Sequence, residues 1–526
     1  LIGTAEGEIL PRKHSEGEKI ELPILQSGGG KSPPVQPKAG RGRIRALVLL
    51  LVHLLILAHV AHYWYAGRTL SPVEPSESMY MLEMGHVNAG AIFFGLAILS
   101  TAIFGRFFCG WGCHLVALQD LSGYLLKRIG FRPKPLRSRM LTLVPFVLAF
   151  YMFFWPTVAR LWMGIPHPGF SNHLVTQNFW QTFPGPLMTI LTFLVCGGLI
   201  VYLLGNKGFC TYACPYGAFF SVADRMAVGR IYVTDACLHC GQCTAHCTSN
   251  VQVHTEVKDF GMVVDPGCMK CMDCVSVCPN EALYFGFKPQ PGPAPARLAL
   301  PVVERPKSRM SRKKNYDYSL PEELLGLGVA AGTVFGLRGL YDLTPLLLSV
   351  TLAVITAYWF IQAIRVWRRA DHRMQNIQLK RQRHLTRAGW LASLALLLWS
   401  IFVMHSIFVQ YHRYRGRSYI SRSTASWTEL VTGLAQSRQT PESLANADRG
   451  LSSYRWTDQF GLVPVKEAKI GMAIGSLIKN DFRAAEIHLR QAYRIDPPGT
   501  REMLIEFLVS QNRWDEAMEL GESVED

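Results

Sequence analysis

Apolar positions in this chain gather into long unbroken runs, not into the alternation of half-buried strands or the three-to-four-residue spacing of surface helices. Crossing roughly 30 Å of hydrocarbon takes a helix of about 20 predominantly apolar residues. Runs of this kind lie at Ala46–Tyr65, Asn88–Phe104, Met140–Arg160, Pro186–Leu204, Leu343–Val366 and Ala388–Phe408, and a shorter, glycine-rich one at Leu324–Leu337. The pattern predicts seven membrane-spanning helices. The first stands behind a polar Gly/Pro/Lys segment, too far along the chain for a cleaved signal peptide, so that segment is expected to stay attached.

The runs divide the chain. Residues 1–43 are poor in apolar side chains and are expected to be mobile on the cytoplasmic side. Residues 44–228 hold four spans, 229–288 are cysteine-rich, 289–320 form a Pro-rich basic linker, and 321–410 hold about three further spans. From 411 to 526 the pattern becomes helical. KNDFRAAEIHL (479–489) recurs as QNRWDEAMELG (511–521), each after a helical stretch, Glu467–Ile478 and Thr500–Ser510. A period of about 32 residues and the Ala, aromatic and Asp-Pro positions resemble the tetratricopeptide repeat. A further hairpin is expected within Trp427–Arg455, giving an array with a groove for a protein segment; a helical bundle packed on the membrane domain is the plainer alternative.

Composition fits a membrane protein: 49% of the residues are hydrophobic, and the formal net charge is +16. The positive charge is distributed as topology requires, since Lys and Arg collect in cytoplasmic loops. Arg41, Arg43 and Arg45 precede the first span. Lys127, Arg128, Arg132, Lys134, Arg137 and Arg139 separate the second from the third, and further clusters run over 307–314 and 365–383. By contrast, 164–184 carry no Lys or Arg. The N-terminus is therefore expected inside and the C-terminus outside, in a multi-pass inner-membrane protein. No basic helix or stacking motif argues for nucleic acid.

The cysteines carry the chemistry. CLHCGQCTAHC (237–247) and CMKCMDCVSVCP (268–279) are tandem C-x2-C-x2-C-x3-C runs, the ligand pattern of a bacterial two-cluster ferredoxin, in which the fourth Cys of each run serves the other cluster. Carried over residue by residue, one [4Fe–4S] cluster takes Cys237, Cys240, Cys243 and Cys278, and the other takes Cys268, Cys271, Cys274 and Cys247. Zinc ribbons use C-x2-C pairs and fit this order poorly. Thr248 stands where the first run would often have the proline that Pro279 supplies to the second. A cytoplasmic position keeps these thiols reduced and makes disulfides unexpected.

Two further pairs repeat each other. FGRFFCGWGCHLVA holds Cys109 and Cys113, and GNKGFCTYACPYGA holds Cys210 and Cys214, each where an even-numbered span reaches the cytoplasmic face. These four thiols are candidates for a third metal or cluster, for redox-active dithiols, or for small buried packing residues. Cys196, alone in the fourth span, is read as packing.

GRFFCGW and FCTYACPYG, combined with the tandem runs, resemble the membrane polyferredoxins of the NapH, NosR and FixG/CcoG group over roughly residues 45 to 287. The resemblance implies a mainly α polytopic membrane protein with an inserted α+β two-cluster ferredoxin domain. It also implies electron transfer between the quinone pool, or a cytoplasmic donor, and a partner redox enzyme or metal centre. The chain departs from that group in His114, which replaces the proline of the first motif, and in a C-terminal region unlike the immunoglobulin-like end of FixG relatives, and no N-terminal flavin-binding domain of the NosR kind is expected.

His53, His59 and His62 on the first span, His86 before the second and His405 on the seventh are polar groups of the kind that mark function in membranes. A bis-histidine haem b would need one ligand from each of two helices, such as His59 with His405; hydrogen bonding across helices, or the rim of a quinol pocket, are the competing roles. No Ser-His-Asp set, Walker loop or dinucleotide fingerprint is present. The sequence points to an electron-transfer subunit of a multi-subunit membrane oxidoreductase. Two other readings stay open: an assembly factor reducing a metal ion such as copper for a terminal oxidase, and a redox-sensing membrane scaffold.

Overall fold

The computed structural model describes residues 39–180, 183–288, 316–422, 425–435 and 439–522. The expected N-terminal tail up to residue 38 and the linker from 289 to 315 lie outside them. Among the described residues, six helices are long and apolar enough to cross a membrane: Arg41–Ala66, Leu141–Trp162, Pro186–Leu204, Leu320–Leu337, Leu346–Arg368 and Arg387–Ile420. The expected second span differs. It is a helix of 16 residues, Ala89–Phe104, a rise of about 24 Å. Its ends are set chemically: the Asn88 side chain accepts the Ala91 N–H at 2.8 Å, and Gly105 at φ 70° stops it, a conformation that costs glycine little. It nevertheless runs the length of the bundle, from Asn88, bonded to Glu77 O at 2.8 Å, down to Phe104, whose ring meets that of Phe287 in the ferredoxin unit at 5.7 Å.

Packing separates interior from periphery. Ala353, Val354, Ile355 and Ala357 make Leu346–Arg368 an interior helix. Glycines let its neighbours approach: Gly326 lies against Ile361, and Gly336 against Ile407, the small-residue contact that brings membrane helices together where water gives no driving force. Leu47, Leu50, Leu54, Leu391, Leu394 and Leu398 are exposed, as lipid-facing positions are.

Two ends of the bundle carry different units. At one, Arg45 Nε donates to Gly110 O at 2.8 Å, Arg137 Nε donates to Asn250 Oδ1 at 3.1 Å, and Arg139 pairs with Glu323 at 3.3 Å, gathering helix ends around the cysteine-rich segment. At the other, Thr69–Leu70 pairs antiparallel with Val175–Thr176, and the C-terminal helices dock. There His405 Nε2 bonds Phe460 O at 2.8 Å, and Arg413 donates to Gly339 O at 2.6 Å and to Asp342 at 2.5 Å.

The C-terminal unit is all helical. Helices Lys466–Ile478, Phe482–Ile495, Pro497–Ser510 and Trp514–Glu522 fall on the two sequence copies, and the turns correspond: Asn480 (φ 61°) and Asn512 (φ 59°) both adopt the left-handed conformation that asparagine tolerates. The stretch expected as a third hairpin differs. A five-residue helix, Trp427–Val431, and the 20-residue helix Pro441–Phe460 replace it. Gly433 at φ 76° ends the first early, and Tyr454 of the second fits between Gly416 and Gly471, so that helix packs against both Arg387–Ile420 and Lys466–Ile478.

Candidate functional site

Strands Gly229–Val233 and Leu283–Phe287 pair antiparallel, with Tyr232 opposite Tyr284. Ile231, Val251, Val257, Val263, Val275 and Leu283 form the small core beneath them. The two cysteine runs lie on this support as loops of matching conformation. His239 (φ 51°) and Gly241 (φ 75°) in the first correspond to Lys270 (φ 50°) and Met272 (φ 64°) in the second. Left-handed backbone at non-glycine residues is unfavourable and collects at functional sites; here it curls each run around its thiols.

Cys237, Cys240, Cys243 and Cys278 line one recess together with Leu238, His254, Val257 and Leu283. Cys240 is exposed. The other four are deeper: Cys268 and Cys274 are buried, Cys247 feels Cys271 and Cys268, and Cys274 feels Cys268, Cys271 and Cys247. Burial, followed by the charge of Asp273, pushes the Cys271 thiol up to about 12, while peptide N–H groups of Lys270 and Asp273 oppose the shift at Cys268 and Cys271. Apolar burial disfavours a bare thiolate, so these sulfurs ionise when a cation binds them. No group of three or more His, Cys, Asp or Glu among the described residues converges on a single-ion site. A cluster, whose ligands stand around a cube, does not ask for that convergence.

The repeated pairs come together. Cys109 and Cys210 are buried in the bundle core with Cys113 and Cys214 packed against them, all at the ferredoxin end. Burial first, then Cys210 and Cys109, push Cys113 up to about 12, and Cys214 is raised by burial, Cys210, Cys113 and Cys109. Gln119 Nε2 reaches Cys210 Sγ at 3.1 Å. Cys196, by contrast, bonds Thr351 Oγ1 at 3.2 Å inside the bundle. The histidines are dispersed: His53 Nδ1 bonds Leu49 O at 2.7 Å, His59 Nε2 bonds Leu70 O at 3.1 Å, His62 Nδ1 bonds Thr69 Oγ1 at 3.0 Å, and His86 stacks on His173. His59 and His405 are each bound to a different backbone carbonyl.

Charged residues join the two regions, and sequence reasoning missed their role. Arg106 N–H and Lys270 Nζ both donate to Asp224 Oδ1 at 2.9 Å, Arg230 stands 3.8 Å from the same carboxylate, and Arg106 NH1 donates to Pro266 O at 3.0 Å. Arg230, Lys270 and Asp224 are fully buried, and Arg106 is 5% exposed. Arg106 also lies against Cys109 and Cys210, and its Nε has no partner. Around them Trp111 Nε1 donates to Lys270 O at 2.9 Å, and Arg45 links Asp120 and Asp273, with Lys207 on the other side of Asp120. A signal was present: Arg106 and Lys207 each stand three positions before the first thiol of their repeat, after a left-handed glycine, Gly105 (φ 70°) or Gly205 (φ 103°).

The loop 268–271 thus lies directly on the helix Phe107–Trp111 that bears Cys109. A methyl group at Gly110 would fall on Met269 O. Gly110→Ala is therefore expected to lift that loop and to speed limited proteolysis of the ferredoxin unit several-fold relative to wild type, with the helix bundle intact.

Fold and site together define a polytopic membrane iron–sulfur protein for electron transfer. A family model described as "4Fe-4S binding domain" matches residues 89–132 and again 187–233, once for each repeat, and one described as "4Fe-4S dicluster domain" matches 229–279. Among curated proteins the chain is similar to NapH-like membrane ferredoxins. Ferredoxin-type protein NapH of Escherichia coli (strain K12) is 25% identical over 224 residues, covering 40% of this chain and 74% of that protein. Putative electron transport protein YccM of the same organism is 24% identical over 207 residues, covering 38% and 56%. Methylamine utilization ferredoxin-type protein MauN of Methylobacillus flagellatus is 26% identical over 192 residues, covering 33% and 60%. No solved structure matches the chain.

Proposed function

We propose that this protein relays single electrons between a quinol or a cytoplasmic donor and a partner redox protein, through three stations in a line. Cys237, Cys240, Cys243 and Cys278 hold the outermost [4Fe–4S] cluster, and Cys268, Cys271, Cys274 and Cys247 hold the middle one. Cys109, Cys113, Cys210 and Cys214 hold a further anionic iron–sulfur group at the membrane. The ferredoxin end faces the cytoplasm by the distribution of Lys and Arg, and the C-terminal helices stand on the periplasmic side, where they offer a surface to a protein partner.

The observation that carries the third station is the buried charge beside it. Arg106, Arg230 and Lys270 outnumber the buried carboxylates Asp224 and Glu256, and Glu256 is taken by the peptide N–H groups of Val264 and Asp265 at 3.0 Å. Unbalanced buried charge is costly. Thiolate-bound clusters on both sides of Arg106 and Lys270 supply the missing negative charge, whereas four neutral packed thiols do not. The polypeptide then contributes position and electrostatics, and the clusters carry the electron.

The test is EPR with iron and sulfide analysis on anaerobically purified protein, beside a variant with Cys109, Cys113, Cys210 and Cys214 replaced by serine. Loss of a third signal with two ferredoxin signals retained is expected. Unchanged iron and unchanged electron transfer would return the quartet to packing, and a wild-type chain free of iron would sink the whole reading.

A further inference from the structure

A separate recess opens between the sixth and seventh spans at the ferredoxin end. Trp399 Nε1 donates to Thr356 Oγ1 at 2.8 Å and holds the two helices together at mid-length. Below that bond they diverge, and the meander His372–Met374, Ile377–Arg381 and His384–Leu385 covers the gap. Gln375 fixes the meander to this end of the bundle through Lys134 O at 3.1 Å and Leu203 O at 2.8 Å. Gly389 admits Leu379 O against the start of the seventh span. The space left has a volume of about 720 Å³.

Its lining is graded along the membrane normal. Trp359, Phe360, Ala363, Ala392 and Leu396 make the deep part apolar, and Arg368, Lys380 and Arg383 stand at the mouth with no acidic residue among the lining. Lys380 Nζ donates to Val366 O at 2.9 Å and to Trp367 O at 3.4 Å, fixing its charge over the helix end. Trp367 is 88% exposed and Trp390 67%, at the depth where tryptophans mark a membrane interface.

We propose that this recess binds one anionic phospholipid, with its phosphate between Arg368, Lys380 and Arg383 and an acyl chain along Trp359 and Leu396. Basic pockets between spans at an interface take such headgroups. The graded lining matches a molecule with a charged head and a long apolar tail. A quinone, whose ring is uncharged, would make no use of the three cations at the mouth. The proposal is independent of the electron-transfer reading.

Native mass spectrometry of the full purified chain, titrated with phosphatidylglycerol or with phosphatidylcholine, tests it. Wild type is expected to retain one phosphatidylglycerol in preference to phosphatidylcholine, and Arg368→Gln with Arg383→Gln to weaken that retention roughly thirtyfold. Ser393→Phe, which fills the cleft and leaves every charge, is expected to abolish retention with cluster absorbance unchanged. Equal retention of the two lipids, undiminished binding in the Arg double variant, or undiminished binding in Ser393→Phe would each overturn the proposal.

Discussion

Replacement of Asp224 by alanine is expected to detach the ferredoxin unit from the helix bundle. Its carboxylate is fully buried and accepts both the Arg106 N–H and Lys270 Nζ, with Arg230 adjacent. One group therefore joins the start of the thiol-bearing repeat, the loop 268–271 and the first strand of the ferredoxin unit. Removing one partner of a buried ion pair costs about 3–5 kcal/mol, because the remaining charge is left uncompensated; here several cations would be left. Iron content per chain is expected to fall by at least half, with faster proteolysis within 229–288. Asp224→Asn retains one oxygen acceptor but loses the charge and the second acceptor oxygen, so it should fall between wild type and Asp224→Ala. Wild-type iron and proteolysis in Asp224→Ala would mean that the network is incidental to docking.

A second substitution tests the proposed division of the ferredoxin cysteines between two clusters. Cys247→Ala removes the last thiol of the first run, yet the structure groups Cys247 with Cys268, Cys271 and Cys274 and leaves Cys237, Cys240, Cys243 and Cys278 around their own recess. The expected result is loss of the buried cluster's EPR signal and of roughly half the ferredoxin iron, with the exposed cluster retained. Cys278→Ala should give the complement, loss of the exposed cluster alone. The signals differ in solvent access, so a water-soluble paramagnetic relaxant should shorten relaxation mainly for the signal that Cys278→Ala removes. Loss of the same signal in both variants would exclude the exchange of fourth ligands between the runs.

Local chemistry made much of this legible. Cysteine spacing is a one-dimensional property, because three ligands on one loop must be close in sequence. Apolar run length likewise located the spans, since hydrocarbon thickness sets it. The second span is the informative exception. Its apolar run is shortened by Asn88 and Gly105, a capping residue and a left-handed stop, and hydropathy alone does not register where a helix ends. The stretch 427–455 differs for a related reason: helical patterning is present, but Tyr454 seats its helix between Gly416 of the seventh span and Gly471 of the helix Lys466–Ile478.

The sequence by itself determined the iron–sulfur class, the membrane class and the doubled thiol motif, because each is written in short-range spacing or in composition. Only the tertiary structure decided that the two thiol pairs meet, that loop 268–271 lies on the helix bearing Cys109, and that Asp224 receives both the Arg106 N–H and the Lys270 ammonium. Those facts depend on contacts between residues more than a hundred positions apart, such as Arg106 with Asp224 and Trp111 with Lys270, and no local pattern encodes a partner that far away.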